Sequence, residues 1–210
     1  MSDLSSTLGI ILTVLLLTSF VKIATSLTIF RVGIGLGQSG FGVVVIAVSL
    51  ALSLVVMGPQ LASLGGLNAL FSGKLAKQEI DYEKNFSPFL EKNSDPAIIE
   101  KLNKLGQNSS KAAAKAAVDD KAKLPTAKVD STFEVIIASF MLTELKEAFQ
   151  IGLIILIPLL VIDLLVANAL ILLGANQLSP ELIALPLKVI LFFAVDGWTL
   201  LAEKLLRTYI

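Results

Sequence analysis

Residues 144–167 read ELKEAFQIGLIILIPLLVIDLLVA, and this stretch limits what the rest of the chain can become. A charged turn (Glu144, Lys146, Glu147) leads into an apolar run from Ile151 to Leu173 that is interrupted by Pro158 and Asp163. About 20 apolar residues suffice to span a bilayer, so the run has membrane length. A lone carboxylate and a proline inside it exclude a helix that simply faces lipid. Their polar groups must find protein or water. Pro158 marks a helix kink, because proline removes a backbone donor and crowds the preceding turn.

Composition agrees with a membrane protein: 55% of the 210 residues are hydrophobic and the mean hydropathy is +0.82. Seventeen basic residues balance 17 acidic ones, so nothing at whole-chain level attracts nucleic acid. The chain has no cysteine and no histidine, which removes disulfides, thiolate nucleophiles, the commonest general base and the commonest metal ligands. Most enzyme mechanisms are thereby disfavoured, and no cofactor or metal site is expected.

The N-terminus lacks a basic n-region, and the run from Leu8 continues past Lys22 without a small-residue cleavage site, so it reads as retained. Leu8 to Phe30 is long enough to span, with Arg31 following closely. Lys22 has two readings: it snorkels toward an interface as Arg31 can, or it is buried among helices beside a carboxylate. Gly35, Gly37 and Gly40 formally match G-x-G-x-x-G, but the match follows a helix-length apolar run, and no charge occurs from Phe41 to Phe71. A dinucleotide loop requires a preceding strand and a later acidic residue, so that reading is rejected. A flexible turn between helices is favoured over a Gly33/Gly37 contact motif. Residues 41–71 read as helix, with a break at Gly58-Pro59.

The chain turns polar from Ser72 to Ser131, with 11 Lys and 9 Asp or Glu and with Pro88, Pro96 and Pro125 as punctuation. Short helices are expected at Lys74–Phe86 and Pro96–Leu105, and a mobile low-complexity link at Gly106–Thr126. Mixed charge without interleaved aromatics argues against a nucleic-acid tract. The basic content of this insertion would favour a cytoplasmic location, though its length weakens that rule. Three segments result: hydrophobic helices over 1–71, a polar insertion over 72–131, and a hydrophobic helical hairpin over 132–210.

Within the hairpin, the stretches Phe133–Leu173 and Leu182–Leu206 are joined by GANQLSPE, a short turn that makes them antiparallel. Counting outward from the turn, Asp163 and Lys188 mismatch by roughly 6 Å at 1.5 Å per residue, which a lysine stem bridges. Pairing with Lys188 is one account of the buried carboxylate; contact with another subunit or a wet lumen is the other. Glu144 and Glu147 share a helix face while Lys146 points elsewhere. An exposed helix end near the membrane boundary explains them, as do intersubunit ion pairs. Two further functions are considered. Asp163, Lys188, Asp196 and Pro158 would suit an ion-coupled small-solute transporter, yet residues 8–71 and 133–206 lack the internal similarity it predicts. Asp163 and Asp196 could form an aspartyl protease dyad, but AVDGW lacks a glycine-rich approach to the second aspartate.

Several patterns, taken in order, resemble one family. They are LTSFVKI (17–23), FRVGIGLG (30–37), the M-G-P break at 57–59, ELKEAFQIG (144–152), IPLLVIDLLVA (157–167), G-x-x-x-L-S-P (174–180), LPLK (185–188) and DGW (196–198). The chain is similar to the FliP/SctR proteins of the type III secretion export gate, shared by flagella and injectisomes. The resemblance implies an all-α, non-enzymatic subunit of a homo-oligomer, a pentamer. Its partners would be the two other small hydrophobic export-gate proteins, with a lumen that passes unfolded secreted proteins. It implies a bacterial inner-membrane assembly projecting toward the periplasm, with the insertion on the periplasmic side. The absence of a cleavable signal and the short N-terminus resemble the injectisome branch. It also makes Gly174, Ala175, Asn176, Gln177 and Leu178 the candidate gate turn. One departure stands out: family members usually carry methionines in this turn, whose flexible thioethers suit a deformable seal, and this chain has none there.

Overall fold

The computed structural model describes residues 19–37, 40–63, 66, 82–116, 133–175 and 177–209. Among these residues every regular element is a helix, as the all-α expectation requires. They are α1 (Phe20–Ile34), α2 (Gly42–Val56), α3 (Gly58–Ser63), α4 (Tyr82–Lys92), α5 (Pro96–Ala116), α6 (Phe133–Leu172), α7 (Pro180–Ala194) and α8 (Gly197–Leu206). The chain divides into two compact units, one of residues 1–17 and 60–144, the other of residues 18–59 and 145–210.

In the first unit α4 and α5 are amphipathic, and the opening turns of α6 supply apolar positions. Phe86, Phe89 and Leu90 recur at helical spacing and are buried, as are Ile136 and Phe140 of α6. The Phe89 and Phe140 rings lie 5.8 Å apart between centroids, tilted by 59°. Asp95 caps α5. Its carboxylate accepts from the Ala97 N–H at 2.9 Å, its own N–H donates to Thr143 Oγ1 at 2.9 Å, and Pro96 takes the first helical position.

Three expectations for the insertion are corrected here. The described part of the first helix continues past Phe86 to Lys92, with Pro88 inside it and not punctuating it. The second runs on past Leu105 and Gly106 to Ala116, because the alanine-rich tract outweighs one glycine. The link expected from Gly106 is therefore helical as far as Ala116, and residues 117–132 lie outside the described residues.

The second unit holds α1, α2, α7, α8 and the greater part of α6. Its core joins Ile23, Leu27, Phe30 and Ile34, one stripe of α1, to Val45, Leu159, Phe192, Leu201 and Leu205. A smaller cluster packs Val166 and Leu170 of α6 on Ala184 of α7. The core serines spend their hydroxyls within the protein. Ser49 Oγ donates to the Val45 carbonyl at 2.6 Å, and Ser19 Oγ to Ser53 Oγ at 3.4 Å.

Small residues let α1 and α6 approach closely. A Cβ on Gly152 would stand 2.5 Å from Ile29 Cδ1, and one on Gly33 would stand 2.8 Å from Leu156 Cδ1. Ser26 Oγ, next to Ala148, donates to that residue's carbonyl at 3.2 Å. Contacts climb together from Ser26/Ala148 through Ile29/Gly152 to Gly33/Leu156, so the two helices run parallel.

Several apolar stretches are also subdivided differently from expectation. The described helix of the N-terminal run is α1, and residues 1–18 lie outside the description. The 41–71 run breaks at Met57, within the expected M-G-P step. The stretch 182–206 is two helices bent by 67° at Val195-Asp196, where Asp196 adopts φ 49°. Aspartate tolerates this left-handed conformation better than most residues. The 40-residue α6 is continuous through Pro158, and among the described residues it is the one helix long and apolar enough to cross a membrane. The bent pair α7–α8 would supply a second span if it crosses as a unit.

Candidate functional site

The site is built around two buried lysines, both in the second unit. Lys22 is fully buried in the first turn of α1 and donates to Glu147 Oε2 of α6. Burial beside a carboxylate, not snorkelling, is therefore the arrangement of Lys22. Arg31 engages main-chain carbonyls. Its guanidinium turns back on the carbonyls of Leu36, at 3.0 Å, and of Gly37, closing the end of its own helix.

Lys188 of α7 is buried as well. It donates to Asp163 Oδ2 of α6 at 2.6 Å and to the Gly33 carbonyl of α1 at 2.8 Å. Gly33 lies in the last turn of α1, where carbonyls lack an intrahelical donor. The Lys188 ammonium thus acts as a cap delivered from another helix, at the negative end of the α1 dipole. One lysine ties three helices together. The charge count that paired Asp163 with Lys188 across the turn missed the third partner. Asp163 Oδ1 is buried without a partner, so the carboxylate is only half satisfied by hydrogen bonds.

The charged turn before the apolar run is distributed less simply than the sequence suggested. Glu144, in the first unit, is 1% exposed, Glu147 is half-buried on Lys22, and Lys146 is exposed. An exposed helix end does not describe this cluster, because α6 begins at Phe133 and carries these residues well inside it.

The candidate gate turn is set by backbone geometry. Gly174 has φ 69° and ends α6; its N–H donates to the Ile171 carbonyl at 3.1 Å, while the Ala175 N–H reaches the Leu170 carbonyl at 2.9 Å. Gly35 ends α1 in the same way at φ 100°, with Gly35 bonded to Val32 and Leu36 to Arg31. The favoured turn at residues 31–42 does separate α1 from α2, but it starts only after Ile34: Gly33 is helical and Gly35 is a defined cap. Beyond Gly174, Ala175 packs on the α6–α7 cluster, while Gln177 and Leu178 are exposed. Asn176 lies outside the described residues. Leu172, at 86% exposure, and Leu182, at 75%, place further apolar surface beside the turn.

Pro158 is exposed on α6 and, with Phe30, Leu191, Phe192, Val195 and Leu200, lines an almost wholly apolar cleft of about 150 Å³. It cannot donate to the Ile154 carbonyl one turn back, which leaves that helical bond unmade. Asp196 is exposed where α7 meets α8, whereas Asp163 is engaged by Lys188. That ion pair differs from two carboxylates sharing a proton. Among the described residues no group of three or more metal-ligating side chains occurs. The arrangement has the means to hold helices in fixed register.

Comparison with known proteins follows the same outline. The FliP family pattern matches residues 5–205. The flagellar biosynthetic protein FliP of Caulobacter vibrioides is 33% identical over 204 residues, which cover 93% of this chain and 70% of that protein. The harpin secretion protein HrpW of Pseudomonas syringae pv. syringae is 32% identical, covering 91% and 90% of the two chains. The harpin secretion protein HrcR of Erwinia amylovora is 31% identical, covering 92% and 87%.

Proposed function

Because this chain belongs to the FliP family of type III secretion proteins, we propose that it is a structural, non-enzymatic subunit of the export gate and lines a conduit for unfolded secreted proteins. In this reading several copies form a ring, a pentamer, with two other small hydrophobic gate proteins. The assembly sits in the bacterial inner membrane and projects toward the periplasm. The segments 1–71 and 132–210 build its wall, and the polar insertion 72–131 faces the periplasm.

One observation supports the reading above others. The α6–α7 hairpin is pinned from inside by Lys188, Asp163 and Gly33, while its outer faces stay apolar and exposed at Ile154, Leu164, Leu165, Leu182, Ile190 and Phe193. Apolar surface of that extent marks contact with other proteins or with lipid. The tip of the same hairpin carries the gate turn. Without methionines, its apolar contribution to a seal comes from Leu178 with the neighbouring Leu172 and Leu182, and its polar contribution from Asn176 and Gln177.

Copurification followed by native mass spectrometry tests the assembly. A stable multi-subunit complex containing the other two hydrophobic gate proteins is expected; a monomer active by itself overturns the proposal. Glycine at Gln177 and Leu178 should raise small-ion leak through the assembled gate. Unchanged leak excludes this turn as the seal.

A further inference from the structure

The buried ammonium of Lys22 has a second neighbour besides Glu147. Its Nζ stands 4.4 Å from the ring centroid of Tyr209, which follows α8. The Glu147 side chain retains 30% exposure while the lysine retains none, so groups besides this carboxylate enclose the ammonium, the Tyr209 ring among them. We infer that the Tyr209 ring recognises the Lys22 charge and is the positioning group that fixes α8 against α1. The aromatic face carries negative potential, and a desolvated ammonium gains more from it than a hydrated one. Leu201 and Leu205 of α8 enter the same core as Ile23 and Leu27 of α1, so the ring closes over the end of a packed seam.

The arrangement has a consequence for the whole unit. Lys22 binds α6 through Glu147 and the segment after α8 through Tyr209, as Lys188 binds α6 and α1 at the other end of α1. Each end of α1 is thus held by one buried lysine. Tyr209, half-buried after α8, thereby joins the second unit's packing, and the inference does not depend on what the assembled protein conducts.

A graded aromatic series at position 209 separates charge recognition from packing. Phenylalanine and its mono-, di- and trifluorinated forms are incorporated into the full chain, and thermal unfolding is followed in detergent. Tyr209→Phe sets the reference midpoint, so that loss of the hydroxyl is separated from the effect of the ring face. Successive fluorines, which drain the ring face of negative potential, should lower it stepwise by about 2–8 °C in total. The stepwise fall should vanish in a Lys22→Met background and persist in Glu147→Gln, where the ammonium remains. A flat or rising series in the wild-type background overturns the inference, because fluorine adds apolar surface and a packing role would gain from it. A fall that survives in Lys22→Met overturns it equally, since no ammonium is then left to recognise. Should Lys22→Met fail to accumulate, the wild-type and Glu147→Gln series decide the matter.

Discussion

Replacing Lys188 by methionine keeps most of the side-chain volume and deletes the charge. Asp163 would then lose its 2.6 Å partner, and the Gly33 carbonyl would lose the donor at 2.8 Å that caps α1. Breaking a buried ion pair from one side costs about 3–5 kcal/mol, mainly because the remaining charge stays desolvated. Asp163 keeps 29% side-chain exposure, which lets water relieve part of that cost, whereas its Oδ1 already lacks a partner. The orphaned carbonyl adds about 1–3 kcal/mol where water cannot reach it. A loss of about 3–5 kcal/mol is the expected sum after these offsets. A double-mutant cycle measures it by equilibrium unfolding in detergent, using Lys188→Met, Asp163→Leu and the pair of changes together. The double variant should recover the part of the loss that comes from the unpaired Asp163, since apolar replacement of a buried pair is often neutral or stabilising, while the loss at the Gly33 carbonyl remains. If Lys188→Met loses less than about 1 kcal/mol, as exposed ion pairs do, the three-way tie is not buried in the folded protein and the reasoning fails.

Three further outcomes are expected. Gly152→Ala should destabilise by about 1–3 kcal/mol, and by more than Gly33→Ala, because its new methyl meets Ile29 Cβ at 3.0 Å while Gly33 meets only the ends of two leucines. Thermal melts of the two variants side by side check the order. Asp196→Val should cost about 1–2 kcal/mol, since a β-branched residue is forced to φ 49°, whereas Asp196→Asn should be neutral in the same melts. Asp95→Ala removes the side-chain cap of α5 and should lower stability by about 1 kcal/mol, read as faster amide exchange at Ala97.

The sequence made the hairpin legible because its signals are local. Seven residues separate Leu172 from Pro180, and counting outward across that gap brings Asp163 within reach of the Lys188 stem. The Lys22–Glu147 pair spans 125 positions and the Lys188–Gly33 bond 155, distances over which no periodicity connects partners. Lys22 could be recognised as anomalous, yet its carboxylate could not be chosen among several. Gly33 was harder still, since the group it contributes is a carbonyl that every residue possesses. Alanine propensity carried α5 through Gly106, and composition alone had suggested a link. Asp196 was visible as a charge before a glycine. That the chain bends there by 67° depends on Phe192 packing over Gly197, where any Cβ would collide with the ring.

The Gly174 cap has a consequence for how such a turn can change over time. The ending of α6 is specified by one glycine and two main-chain hydrogen bonds, so the exposed side chains at Gln177 and Leu178 do not make it. Those positions are free to exchange thioether, amide or aliphatic groups while the hairpin keeps its path. A turn of this construction behaves as a socket: the scaffold is held by the main chain, and the chemistry mounted at its tip can be changed without redesigning the helices.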